Sequence, residues 1–108
     1  MDNEHSGRVA VITGGGRGFG KAFGTALAQK GATVYLVDMD SEAVTEAAAE
    51  IGGSTAGISA DVTDEERLGE ICSEIAREHG GIDILINNAG LHSHEYSRPM
   101  AEMGVDKI

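Results

Sequence analysis

The 108-residue chain has one cysteine, one proline, no tryptophan, two tyrosines and two phenylalanines. Cys72 alone can form neither an intrachain disulfide framework nor a multi-cysteine zinc site. So few aromatics argue against a platform on which nucleic-acid bases stack. Basic residues are scarce as well: 8 Lys and Arg stand against 18 Asp and Glu, a formal net charge of −10. That is the wrong sign for gripping a phosphate backbone. No apolar run approaches the roughly 20 residues of a membrane span. The start, Met1-Asp2-Asn3-Glu4-His5, lacks the apolar segment of a secretory signal. These absences lead us to expect a cytoplasmic protein with neither a nucleic acid nor a membrane as partner.

Glycine is plentiful, at 16 residues, about twice its ordinary share of roughly 7%. Many glycines with a single proline point to tight turns between regular elements. With 41% hydrophobic residues the composition is globular, and the length suits one domain. Short apolar runs alternate with helical periods. Residues 8–13 read as a strand, followed by a glycine cluster and a helix whose stripe is Phe19, Phe23, Ala26 and Leu27. Gly31 ends that helix. Residues 32–38, β-branched and apolar, read as a buried strand.

A second helix presents Val44, Ala47, Ala48 and Ile51 and stops at Gly52-Gly53. Residues 54–60 are a weaker strand. Thr63-Asp64-Glu65-Glu66 has the form of a capping box. The helix behind it carries Leu68, Ile71, Cys72 and Ile75, then ends at Gly80-Gly81. Its Glu66, Glu70, Glu74 and Glu78 make an acidic stripe, read as a solvated face, and His79 sits where the helix dipole favours a cation. Ile82–Ile86 reads as a fourth strand, apolar on both faces and so suited to a central position. Such alternation implies parallel strands joined by right-handed crossovers. The fold class is therefore α/β, a Rossmann-like doubly wound parallel sheet in the order 3-2-1-4, with a crevice where the winding reverses.

The most informative stretch is Thr13-Gly14-Gly15-Gly16-Arg17-Gly18-Phe19-Gly20. Between a strand and a helix, glycines let the chain turn with positive φ and let a ligand approach without meeting a Cβ. The helix N-terminus beyond offers unpaired N–H groups to a pyrophosphate. A P-loop reading also fits Gly15 to Lys21, but position 22 is Ala, so the hydroxyl that would hold Mg²⁺ is missing. A glycine turn with no ligand remains a third reading. A dinucleotide fold places an acidic residue about 20 residues past the motif, and Asp38 stands close to that distance beyond Gly20. Its carboxylate would repel a 2′-phosphate, which favours NAD. Arg17 pulls the other way, since a cation beside the phosphates could tolerate either cofactor, but Met39 and Asp40 add no base beside Asp38, so NAD is expected and NADP is the lesser candidate.

Thr-Gly-x-x-x-Gly-x-Gly at 13–20, Asp38, Asp61-Val62 and Asn87-Asn88-Ala89-Gly90 together resemble the short-chain dehydrogenase/reductase family, from about Gly7 to Gly90. The resemblance implies a cofactor site of Gly14, Arg17, Gly18, Phe19 and Gly20 at the pyrophosphate and Asp38 with Met39 at the adenosine ribose. It also implies Asp61 and Val62 at the adenine and Asn88, Ala89 and Gly90 along the crevice, with Asn87 bracing strands. It implies hydride transfer between nicotinamide and an alcohol or ketone substrate, and a dimer or tetramer of the complete enzyme.

Family members carry a Ser and a Tyr-x-x-x-Lys pair downstream. Here Tyr96-Ser97-Arg98-Pro99-Met100 puts Met where Lys is needed, so no catalytic residue is assigned. Residues 1–108 are thus expected to be the NAD-binding part of a longer enzyme, inactive alone, with 91–108 a loop and an unfinished helix. A non-catalytic dinucleotide-binding or assembly module is the alternative. His92, His94 and Glu95 could face a metal, but a catalytic zinc commonly needs three protein ligands besides its open position, and a solvated loop is the expectation.

Overall fold

A computed structural model gives the structure of the chain and describes residues 4–88. Four strands, β1 (Val9–Thr13), β2 (Thr33–Asp38), β3 (Thr55–Ser59) and β4 (Ile84–Asn87), alternate with α1 (Gly18–Gln29), α2 (Ser41–Ile51) and α3 (Glu65–His79). All pairings are parallel and the order is β3-β2-β1-β4. The sheet therefore has the 3-2-1-4 order expected from the alternation. β1 is buried along its whole length, because helices cover both of its faces. Ala10 and Ile12 join Val34, Leu36, Val44 and Ala47 on one side, and Val9 and Val11 join Val37, Ile71 and Ile75 on the other.

The helices bury the faces read from their spacing in two cases of three. α2 buries Val44, Ala47 and Ala48. α3 buries Ile71 and Ile75, with Leu68 and Cys72 half-buried beside them. α1 departs from expectation. Phe19 is 73% exposed and Phe23 is exposed too, while Gly20 and Gly24 are the buried positions. The reason is distance: a Cβ on Gly24 would lie 2.8 Å from Leu36 Cδ2, so a larger residue there would have to push that buried leucine aside. Of the stripe read from the sequence, Leu27 packs half-buried against the core, while Phe19 and Phe23 give way to glycines where the backbone comes close to the sheet.

The capping box also resolves differently. Asp64 is the N-cap of α3, its carboxylate accepting from the Arg67 N–H at 3.1 Å. Thr63 instead turns back to Asp61 through both its N–H and its hydroxyl. Gly80 closes α3 in the left-handed conformation. The four glutamates of the acidic stripe are exposed, and Arg67 pairs with Glu70 at 3.2 Å. His79 occupies the last turn of α3, where its Nε2 lies 2.7 Å from the Tyr35 hydroxyl. Burial first, and the Glu78 carboxylate second, push the Tyr35 phenol above its ordinary range. No helix among the described residues is long and apolar enough to cross a membrane.

β4 pairs only with β1 among the described residues, and Leu85 is 48% exposed. Apolar on both faces like a central strand, β4 is the edge strand of the sheet among the described residues, as the order 3-2-1-4 implies. An apolar strand edge is a template for another chain. We expect this 108-residue polypeptide to sediment as associated species, and Leu85→Lys to shift it towards monomer. A wild-type chain that sediments as a clean monomer would remove this expectation.

Candidate functional site

Because every strand is parallel, the C-terminal ends of all four lie along one edge of the sheet. Thr13, Asp38, Asp61 and Asn87 with Asn88 are brought to that edge by topology alone. The winding reverses between β1 and β4, which opens the crevice where open α/β sheets hold ligands.

The glycine turn leaves β1 by swinging across β2. Gly14 and Gly15 donate their N–H groups to the Val37 carbonyl at 2.7 and 3.2 Å, and Gly16 donates to the Asp38 carboxylate at 2.9 Å. Gly14 and Gly18 have φ of +67° and +61°, a region that Cβ-bearing residues enter only at a cost. The tightest point lies between Gly20 and Gly14: a Cβ on Gly20 would stand 2.1 Å from the Gly14 carbonyl oxygen. Around Gly18 there is open space, with nothing within 4 Å of a built Cβ. The turn thus holds its backbone close to itself on one side and bare on the other.

α1 begins at this turn and differs in its chemistry from the other two helices. Asp40 and Asp64 cap α2 and α3, each with acidic residues in the first turn. The N-cap of α1, Arg17, makes no side-chain cap hydrogen bond, and its first turn holds no acidic residue. The positive end of the helix dipole is left for an anion. A pyrophosphate fits this cradle, which is lined by backbone and by glycines that a Cβ would fill.

Asp38 ends β2 and ties the turn to the next loop. One carboxylate oxygen accepts from Gly16 and the other from the Asp40 N–H at 3.1 Å. Asp40 in turn accepts from the Ala43 N–H at 3.0 Å and pairs with Arg17. The Ala43 N–H, and then the Arg17 guanidinium, hold the Asp40 carboxyl below its ordinary range. Arg17, Asp38, Met39 and Asp40 line an open hollow of about 390 Å³. Asp61, just beyond β3, is exposed, and one oxygen accepts both the hydroxyl (2.6 Å) and the N–H (2.9 Å) of Thr63. These two bonds, the hydroxyl's first, hold its carboxyl low. Val62 is half-buried against the cluster of Val37 and Ile71.

At the end of β4 the Thr13 hydroxyl donates to Asn87 Oδ1 at 2.8 Å, bracing the two strands that flank the crevice. Asn88 Nδ2 donates to the Gly14 carbonyl at 3.2 Å. That carbonyl is therefore boxed between the Gly20 backbone and an amide of the Asn-Asn segment. Sequence reasoning placed Asn88 along the crevice but missed this tie to the glycine turn. It weighed Asp40 only as a neighbour adding no base beside Asp38, although an Asp two residues past a strand end and just before a helical period is a recognisable N-cap signal. Ala89 and Gly90 lie outside the described residues, as do the loop and helix of 91–108, Tyr96, His92, His94 and Glu95. Among the described residues no group of three or more His, Cys, Asp or Glu could hold a metal. Cys72, half-buried in the core, has its thiol pushed up by burial.

The family model described as short chain dehydrogenase matches residues 8–108. A sorbitol dehydrogenase of Cereibacter sphaeroides is 44% identical over 85 residues, which are 79% of this chain and 33% of the relative. Among solved structures, a 3-ketoacyl-(acyl-carrier-protein) reductase from Brucella melitensis complexed with NADH superposes with a TM-score of 0.67 at 35% identity. The match covers 74% of this chain and 33% of that one. A Pseudomonas aeruginosa RhlG/NADP active-site complex gives a TM-score of 0.70 at 31% identity, covering 80% and 36%. The chain spans about a third of the length of the curated relatives it matches. With the parallel sheet, the glycine turn and the family match in agreement, the chain belongs to the short-chain dehydrogenase family.

Proposed function

We propose that this chain is the dinucleotide-binding segment of an oxidoreductase that uses NAD in preference to NADP and acts on an alcohol or ketone. The observation that carries the reading is the carboxylate of Asp38. It lies at the end of β2, joined to the glycine turn through Gly16 and lining the hollow beside Arg17 and Met39. A ribose hydroxyl can donate to a carboxylate, whereas a 2′-phosphate meets a like charge there. The sorbitol and galactitol dehydrogenase relatives support an alcohol substrate. The solved neighbours carry NADH in one case and NADP in the other, so the preference rests on Asp38.

In this reading the first-turn N–H groups of α1 and the bare side of Gly18 hold the pyrophosphate, and Phe19 lies beside it. Asp38 orients the adenosine ribose, with Asp61 and Val62 towards the adenine. Thr13, Asn87 and Asn88 keep the crevice open at a fixed width, with Ala89 and Gly90 continuing along it. When bound, the nicotinamide supplies the hydride acceptor or donor. The protein's part within residues 4–88 is binding and orientation, and the proton chemistry falls to a catalytic Ser and Tyr-x-x-x-Lys in the remainder of a longer enzyme. No nucleic acid, metal or membrane has a part in this reading, and the complete enzyme is a cytoplasmic homo-oligomer.

Calorimetric titration tests it. NAD is expected to bind the wild-type chain about tenfold or more tighter than NADP, the scale of one charge-assisted contact. Asp38→Ala should bring the two affinities together. Discrimination that survives Asp38→Ala would remove Asp38 from this role, and a chain that binds neither dinucleotide would leave the glycine turn without a ligand.

A further inference from the structure

Arg17 presents a contradiction within the proposed site. A guanidinium beside the ribose is the group best suited to hold a 2′-phosphate, yet it stands next to the carboxylate that would reject one. Asp38 alone disfavours a 2′-phosphate, and an occupied guanidinium would remove the opposing attraction. Resting on the NAD reading above, we propose that Asp40 is a specificity-determining positioning residue: it holds Arg17 away from the 2′ position and so withholds the cation a 2′-phosphate would need.

The geometry is a closed loop of contacts around the hollow. Gly16 N–H donates to Asp38, Asp38 accepts from the Asp40 N–H, and Asp40 pairs with Arg17, one residue on from Gly16. Asp40 uses its two oxygens for different tasks. Oδ1 caps α2 through the Ala43 N–H, and Oδ2 takes the Arg17 guanidinium. The cap fixes the carboxylate on a helix terminus, so the arginine comes to a rigid acceptor. The pair is exposed, at 69% for Arg17 and 46% for Asp40. Water and salt therefore weaken it, and its influence on discrimination is correspondingly modest.

Replacing Asp40 by Asn separates the tasks, because Asn caps a helix as well as Asp but offers no charge to the guanidinium. Dissociation constants for NAD and NADP are read by calorimetry on the full chain, with thermal melting to confirm folding. Asp40→Ser, another good cap, serves as the second variant. In D40N the ratio of the NADP to the NAD constant is expected to fall about three- to fivefold, the upper part of what an exposed ion pair contributes. Loss of the Asp40 charge also relieves direct repulsion, so the same substitution is made in an R17Q background. There the ratio should move by no more than about twofold, which is what a screened charge several ångströms away can do.

An equal fall in both backgrounds would mean that Asp40 acts by repulsion alone and would overturn the proposal. So would a ratio unchanged in D40N and D40S when the wild type prefers NAD, and in that case the NAD reading itself would stand. A wild-type chain that binds neither dinucleotide, or prefers NADP, would remove the NAD reading and this inference with it.

Discussion

Gly20→Ala should cost the chain about 2 kcal/mol or more of stability and abolish dinucleotide binding. The added Cβ would sit 2.1 Å from the Gly14 oxygen, 2.8 Å from its carbonyl carbon and 3.0 Å from Gly15 Cα. All three are backbone atoms, so no side chain can swing aside. The turn must open, and its attachments oppose that. Gly14 and Gly15 are bonded to the Val37 carbonyl on β2, and the Gly14 carbonyl accepts from Asn88 on the far side of the crevice. Against this, alanine in a helix gains only about 1 kcal/mol over glycine, while overpacking a tight site costs about 1–3 kcal/mol, occasionally more. With only backbone to yield, the upper end applies.

Gly18→Ala is the matched control. Its φ is +61° but nothing lies within 4 Å of the added atom. Only the left-handed conformation is then penalised, by about 1–2 kcal/mol. Urea denaturation of both variants with calorimetry of NAD gives the comparison. A Gly20→Ala chain as stable as Gly18→Ala would show that the turn is softer than its contacts imply.

What could be read from the residue order, and what could not, divides along a physical line. Strand runs, helix periods and glycine stops are local signals. They placed the four strands, and the doubly wound arrangement then supplied the order β3-β2-β1-β4. Asp38, Asp61 and Asn88 were read as site residues from motif spacing and family resemblance, and parallel topology carries all three to one edge of the sheet. Side-chain pairings across that edge are not local. That Asp40 would hold Arg17, or that Asn88 would reach the Gly14 carbonyl, depends on three-dimensional placement that spacing does not encode.

The misreading of α1 has a related cause. Hydrophobic periodicity assumes that the buried face of a helix is its largest one. Where a backbone must come close to a sheet, the buried face is the smallest, and Gly20 with Gly24 carries the contact. The two phenylalanines on the outer face then mislead any pattern built on size. The capping of α3 by Asp64 in place of Thr63 is a shift of one residue, within the ordinary uncertainty of helix ends.

The close approach of α1 predicts a coupling between two positions far apart in sequence. Leu36 is fully buried at the centre of the core on this face, and its Cδ2 is the atom a Gly24 Cβ would meet at 2.8 Å. Leu36→Ala alone should destabilise by about 3 kcal/mol through lost burial and the cavity left behind. Gly24→Ala alone sets a helix gain of about 1 kcal/mol against overpacking of similar or greater size, so it should be neutral to mildly destabilising. In the Leu36→Ala background the obstructing methyl is gone. The remaining neighbours of the new Cβ, Ile12 Cδ1 and Ile51 Cδ1, lie at 3.6 Å, ordinary van der Waals contact. There Gly24→Ala should stabilise by about 1 kcal/mol, realising the helix gain and filling part of the cavity. The double-mutant cycle, measured by urea unfolding, should show a favourable coupling of about 1–2 kcal/mol, within the range for residues in contact. Additivity within about 0.5 kcal/mol, the behaviour of independent sites, would mean that α1 moves off the sheet to accept a methyl. Its glycines would then not be what sets its distance from β2.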